Sequence, residues 1–189
     1  MRARWMLLAL VWGIGFGCGG PEEQNNADTG PQPYSWDLPE GVPEPSTPED
    51  NPVTIEKAEL GRHLFYDKRL SGNETQACAG CHKQELAFTD GLAEALGSTG
   101  QEHFRSAMGL TNIAYSSTLG WAGPSTTSLE RQAPIPMFGE EPVELGLSAL
   151  TEEELLDRFR GDELYEELFA SAYPEQEEPI TLDNLIDAI

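Results

Sequence analysis

Apolar positions recur at helical spacing in four stretches of this chain and alternate over a strand's length in none. The first follows Thr54: Ile55, Ala58, Leu60, His63 and Leu64 approximate one face of a helix that stops near Asp67. Thr151-Glu152-Glu153-Glu154 spells a capping box, in which threonine and the glutamate three residues on satisfy each other's backbone N–H. It opens a helix with Leu155, Leu156 and Phe159 inward. Leu164, Tyr165, Leu168 and Phe169 make the third stripe, which Pro174 ends. Thr181 caps the fourth, Leu182, Leu185, Ile186 and Ile189, a stripe that reaches the last residue without a C-cap, as in a chain that stops mid-helix. Gly91 to Gly100 and Ser116 to Glu144 are irregular and rich in glycine or proline, the kind of long connection that carries function or wraps a cofactor. The pattern predicts a mostly α fold with long loops and no internal repeat.

Two stretches ahead of Thr54 follow neither period. Arg2 and Arg4 precede an apolar run from Trp5 to Gly17, then Cys18, Gly19 and Gly20, which reads as an export signal in residues 1–18. The run of thirteen residues falls short of the roughly twenty that span a bilayer, so contact with a membrane would come only through a lipid anchor. Cys18 stands where a lipoprotein signal places its lipidated cysteine, although Gly15 is weaker than the usual leucine. This places the chain in the periplasm or cell envelope. Residues 19–51 read as a disordered, acidic, proline-rich tether: residues 19–52 hold eight of the fourteen prolines, eight acids and no lysine or arginine. The folded domain is expected over 52–189.

Thirty-three acids against eleven bases leave a net charge of −22, which repels nucleic acid and anionic lipid and leaves room for a basic partner or a small neutral substrate. Apart from Cys18 the cysteines are Cys78 and Cys81, too few for a disulfide framework. They belong to Cys78-Ala79-Gly80-Cys81-His82. Residues three and four apart share a helical face, so two thiols reach two vinyl groups while the adjacent imidazole reaches the iron, the attachment signature of c-type haem. A redox disulfide would need a strand–helix–strand setting, which the pattern lacks. A zinc site would need two more ligands, for which His63 and His103 are the remaining histidines. A monohaem electron carrier would need a sixth ligand such as Met108 or Met137.

The residues flanking this motif extend the reading. Leu60-Gly61-Arg62-His63-Leu64-Phe65-Tyr66-Asp67-Lys68-Arg69-Leu70-Ser71-Gly72, the haem motif and Phe88-Thr89-Asp90-Gly91 resemble the N-terminal haem domain of bacterial diheme cytochrome c peroxidases and the related MauG enzymes. Gly109 to Tyr115, Trp121, Ser128 to Ala133 and Pro136 to Gly146 continue the likeness, which is greatest to MbnH-type diheme enzymes and covers about residues 50–189.

The resemblance implies a c-type cytochrome-like domain with one haem c and, in a second domain absent after Ile189, another. The chain is therefore expected to be a fragment that binds haem without full turnover. His82 would be the proximal ligand, Glu144 the acid that shuttles a proton in cleaving hydrogen peroxide, Gln132 its companion and Trp121 the tryptophan between the two haems. His103, ahead of Arg105, could be distal ligand, pocket hydrogen-bonder or surface residue. Both are counted with the cofactor-binding positions, and His63 is read as structural. Ser106 replaces the asparagine that binds calcium in the family, which puts calcium in doubt. The implied activity is that of a peroxidase-like oxidoreductase. Its reductant would be an electron-donor protein or a tryptophan on an MbnP-like partner.

Overall fold

The Thr54 hydroxyl accepts the Lys57 N–H at 3.1 Å and starts α1, Ile55–Tyr66, which Asp67 closes. In this computed structural model residues 30–121 and 126–189 are described; the export segment and Cys18 lie outside them. Beyond α1 the helices are short: α2, Cys78–Cys81; α3, Leu129–Gln132; α4, Pro134–Phe138; α5, Glu152–Leu156; α6, Glu163–Ala172; and α7, Leu182–Ala188. Among the described residues the only β pairing is in isolated bridges such as Leu96 with Glu102, so the architecture is mostly helical with long loops, as the periodicity predicts.

Boundaries differ from expectation where local signals compete with packing. The Thr151–Glu154 capping box forms, but α5 ends at Leu156; Phe159 is fully buried from the turn that follows, aimed by tertiary contacts rather than by helix continuation. The irregular stretch 116–144 contains α3 and α4, started by the Ser128 hydroxyl on the Arg131 N–H and by Pro134 at the first helical position. Ile55, assigned to the inner face of α1, is more than half exposed. Gly61 is buried in its stead, because α7 crosses there closely enough for a Cβ at Gly61 to strike the Ala188 carbonyl. The acidic stretch is irregular but lies against the domain from residue 32 on: Tyr34 N–H bonds to the Val53 carbonyl (3.1 Å) and Ile55 N–H to that of Gln32 (2.8 Å), while the Tyr115 hydroxyl donates to the Pro43 carbonyl (2.8 Å).

One apolar core joins Leu60 and Leu64 of α1, Leu70, Met137, Leu145, Leu147, Leu155, Phe159, Tyr165, Phe169 and Leu185. Full burial of such a side chain stabilises the fold by about 1.5–3 kcal/mol. α7, too short to persist alone, buries Leu185 in this core beside α1. At one edge Arg69 is a hub: its guanidinium donates to both Asp67 carboxylate oxygens (2.7–3.1 Å) and to Asp162 (2.9 Å), and lies over the Tyr165 and Phe159 rings. Burial pushes the Asp67 carboxyl up, but Arg69 and the Tyr165 hydroxyl (2.7 Å) outweigh it and hold the group below the usual carboxylate range. Arg158 donates to the carbonyls of Arg69, Ser71 and Gly72 (2.6–3.0 Å). Together the two arginines pin residues 67–72 against the α5–α6 corner, and this fixes where the chain enters the cysteine motif.

Candidate haem pocket

α2 is a single turn with no side chain capping it, so it depends on its surroundings. The Ser71 hydroxyl accepts the Gln76 N–H (3.0 Å), His82 N–H closes the turn on the Cys78 carbonyl (2.9 Å), and Cys78 packs on the apolar core. The His82 ring lies beside Phe65, with centroids 6.4 Å apart. Its Nδ1 is 3.0 Å from both the Phe88 and the Met108 carbonyl oxygens. Two acceptors at Nδ1 require the proton there, which leaves the Nε2 lone pair free for a metal.

Opposite this turn, the loop from Ala95 to Arg105 doubles back. Ala95 N–H bonds to the Arg105 carbonyl (2.9 Å) and His103 N–H to that of Ala95 (2.7 Å). Gly97 lies so close to Val143 that a Cβ would meet the Val143 carbonyl, and Ser98 holds the Glu144 and Leu145 carbonyls through its N–H (2.6 Å) and hydroxyl (3.1 Å). These contacts set Glu144 beside His103, with Nε2 3.6 Å from Oε1, too long for a hydrogen bond but close enough for charges to interact. His103 Nδ1 accepts the Arg105 N–H at 3.3 Å, so its ring proton sits on Nε2, toward the carboxyl. Burial pushes the Glu144 carboxyl up, and the nearby His103 and His82 imidazoles only partly reverse this, leaving it above the usual range.

Every residue the sequence singles out for the site lines one cavity of about 450 Å³: Cys78, Cys81 and His82; His103, Arg105 and Trp121; Gln132, the last residue of α3; and Glu144. Trp121 is half exposed at its rim, with Nε1 donating to the Ser106 carbonyl (2.9 Å) and the Arg105 guanidinium 5.8 Å from its ring. Met108 and Met137 line the cavity too, although Met137 is also buried in the core. His63 does not: it pairs with Glu59 on α1 at 3.2 Å. Among the described residues no cluster of three or more His, Cys, Asp or Glu side chains is placed to hold a metal ion, so the zinc alternative gains no geometry.

The donor set fits a covalently attached haem. Two thiols and a lone imidazole nitrogen converge on a cavity whose walls include Ala95, Leu110, Ile113, Leu119 and Ile135, and its volume is in the range usual for cofactor sites. Burial pushes the Cys78 thiol up to about 11 and the Cys81 thiol in the same direction. Both therefore stay protonated at neutral pH, a form slow to oxidise and available to react with vinyl groups. Sequence reasoning missed the two carbonyls behind His82, since backbone acceptors have no sequence signature. It also missed Phe104, mostly exposed at the cavity rim; Asp90, within the Phe88–Gly91 motif, is a buried acid whose Oδ1 accepts the Leu92 N–H (3.0 Å) while Oδ2 has no protein partner.

A MauG-like protein associated with microbial copper homeostasis, of known crystal structure, superposes with a TM-score of 0.80 at 48% identity, over 82% of this chain and 45% of its own. The methylamine utilization protein MauG of Methylophilus methylotrophus is 36% identical over 71% of this chain and 38% of its own length. The cytochrome-c peroxidase IdrP1 of Denitromonas iodatirespirans is 45% identical over 49% and 24% respectively. The chain thus spans less than half the length of each. The family model for di-haem cytochrome c peroxidase matches residues 55–189, which hold every residue of the candidate site, and the chain belongs to that family.

Proposed function

We propose that this chain is the first-haem portion of a periplasmic two-haem oxidoreductase that uses hydrogen peroxide as oxidant. The observation that carries the reading is Glu144: a half-buried acid with a raised pKa, in the same cavity as His82 and paired with a histidine. His82 would hold the iron through Nε2 and Cys78 and Cys81 the porphyrin edge. The haem supplies the redox centre at which peroxide is reduced.

The remaining work falls to the side chains. Peroxide reduction to water consumes two electrons and two protons, and the proton on the near oxygen must reach the far one before the O–O bond breaks. Glu144 takes that proton and returns it to the departing oxygen, a role for which a carboxyl of raised pKa suits better than an exposed one. Gln132 offers an amide N–H to orient the peroxide. His103, with its proton on Nε2, faces Glu144 at 3.6 Å and tempers its pKa. Trp121, at the rim against Arg105, is the route for electrons to and from the second haem. The reductant would be a partner protein, with one of its tryptophans, as on an MbnP-like partner, as the oxidised group.

The test is Glu144→Gln in the complete enzyme, which removes the titrating proton and nearly preserves volume. Haem loading is expected to be unchanged and the peroxide step to slow by about 10²-fold or more, the scale of general acid–base catalysis. Unchanged stopped-flow kinetics would overturn the assignment.

A further inference from the structure

The two thiols of the motif are held by different means. Cys78 is fixed by packing, since it sits against the apolar core that α1 and α6 share. Cys81 is less enclosed, and its Sγ accepts a hydrogen bond from the Gln76 amide, with Nε2 at 2.9 Å. The same Nε2 donates to the Leu96 carbonyl at 3.0 Å, and Sγ is itself 3.9 Å from that carbonyl. The Gln76 stem lies along the turn: a Cβ on Gly80 would come 3.3 Å from Gln76 Cγ, so the glycine leaves room for it. Ser71 holds the Gln76 backbone N–H, which ties this side chain back to the segment pinned by Arg158.

We propose that Gln76 is the positioning residue for the second thioether bond, its amide holding Cys81 Sγ toward the cavity and joining the attachment turn to the loop that carries His103. The proposal rests on the covalent-haem reading of the cavity. In the step it serves, the Cys81 S–H adds across a haem vinyl group: sulfur bonds to the vinyl carbon next to the ring, the hydrogen goes to the terminal carbon, and no net electrons are exchanged. Cys78 needs no such guide because its surroundings leave it little freedom. A free Cys81 side chain would sample rotamers that face away from the vinyl group, and a hydrogen bond of ordinary strength biases such a choice by roughly two- to tenfold.

The experiment is to express wild type, Gln76→Leu and Gln76→Glu with a cytochrome maturation system and to read the pyridine haemochrome spectrum of the denatured proteins. A haem held by one thioether absorbs at longer wavelength than one held by two, so the spectrum counts bonds and does not depend on turnover. Gln76→Leu keeps the stem over Gly80 and loses the donor; Gln76→Glu keeps the length and offers only acceptors. Both are expected to raise the fraction of singly attached haem by roughly two- to tenfold, the range of the lost bias, with the remaining bond at Cys78 by peptide mass. A merely structural glutamine would lower the yield of folded protein without changing the band. Wild-type spectra from both variants would overturn the role of Gln76, whereas wild-type protein without covalent haem would overturn the reading beneath it.

Discussion

Glu144 and His103 show how much one contact decides. On the proposed reading Glu144 begins the proton shuttle as a carboxylate that can accept, so peroxide reactivity should be lost as pH falls through its pKa. Because burial raises that pKa, the acid limb of the kcat/KM profile should lie above the range of an exposed glutamate, and Glu144→Gln should abolish it. His103 pulls the Glu144 pKa down, so His103→Gln should move the limb to higher pH; a limb that stays in place would show that the 3.6 Å pair carries no coupling. At this scale the residue types were legible and their relations were not. Cys78, Cys81 and His82 announce themselves by spacing. His103, by contrast, was open between ligand, pocket and surface, and what sets it toward Glu144 is a long-range contact, the close passage of Gly97 and Ser98 over Val143 to Leu145. Gln76 carries no signal of its own in the sequence.

The helices test how caps and core share the work. Gly61 lets α7 cross α1, and although alanine usually stabilises a helix relative to glycine by about 0.5–1 kcal/mol, its Cβ here would enter the Ala188 carbonyl. Overpacking should win: Gly61→Ala is expected to lower stability by about 1–3 kcal/mol, read from denaturant unfolding of the haem-loaded protein. An unchanged midpoint would mean that α7 moves aside freely. The Arg69 hub makes a second prediction. Its folded-state hold on Asp67 lowers that pKa, so the stabilisation is fully present above the unfolded value of about 3.9 and lost as pH falls through the folded one. Asp67→Asn should therefore flatten the acid end of the stability–pH curve; the same slope in both proteins would remove Asp67 from the account. Thr151 and Thr181 marked two helix starts correctly because a cap is local chemistry. The exposure of Ile55 and the end of α5 before Phe159 were not legible, because both depend on which neighbour arrives from far along the chain.

On the scale of the whole molecule, the core and the cavity are built from the same segments. Met137 and Leu145 belong to the apolar core and also line the cavity, so a haem bound there would complete the interior. Phe104 and Ile135, exposed at the rim, are the surfaces that a bound group would cover. The net charge of −22 predicted no element but narrowed the partners, and the helical class followed from periodicity alone. The location of a single cavity that collects residues from 76 to 189 could not be read from the order of the motifs. The central claim is that this cavity is a site of covalent c-type haem. It is tested most directly by the intact mass of the denatured protein after expression with a cytochrome maturation system and extraction with acidified organic solvent. The account predicts the mass of the polypeptide plus one haem, lost on replacing Cys78 and Cys81 together by alanine. The mass of the bare polypeptide, with all haem in the organic phase, would contradict it.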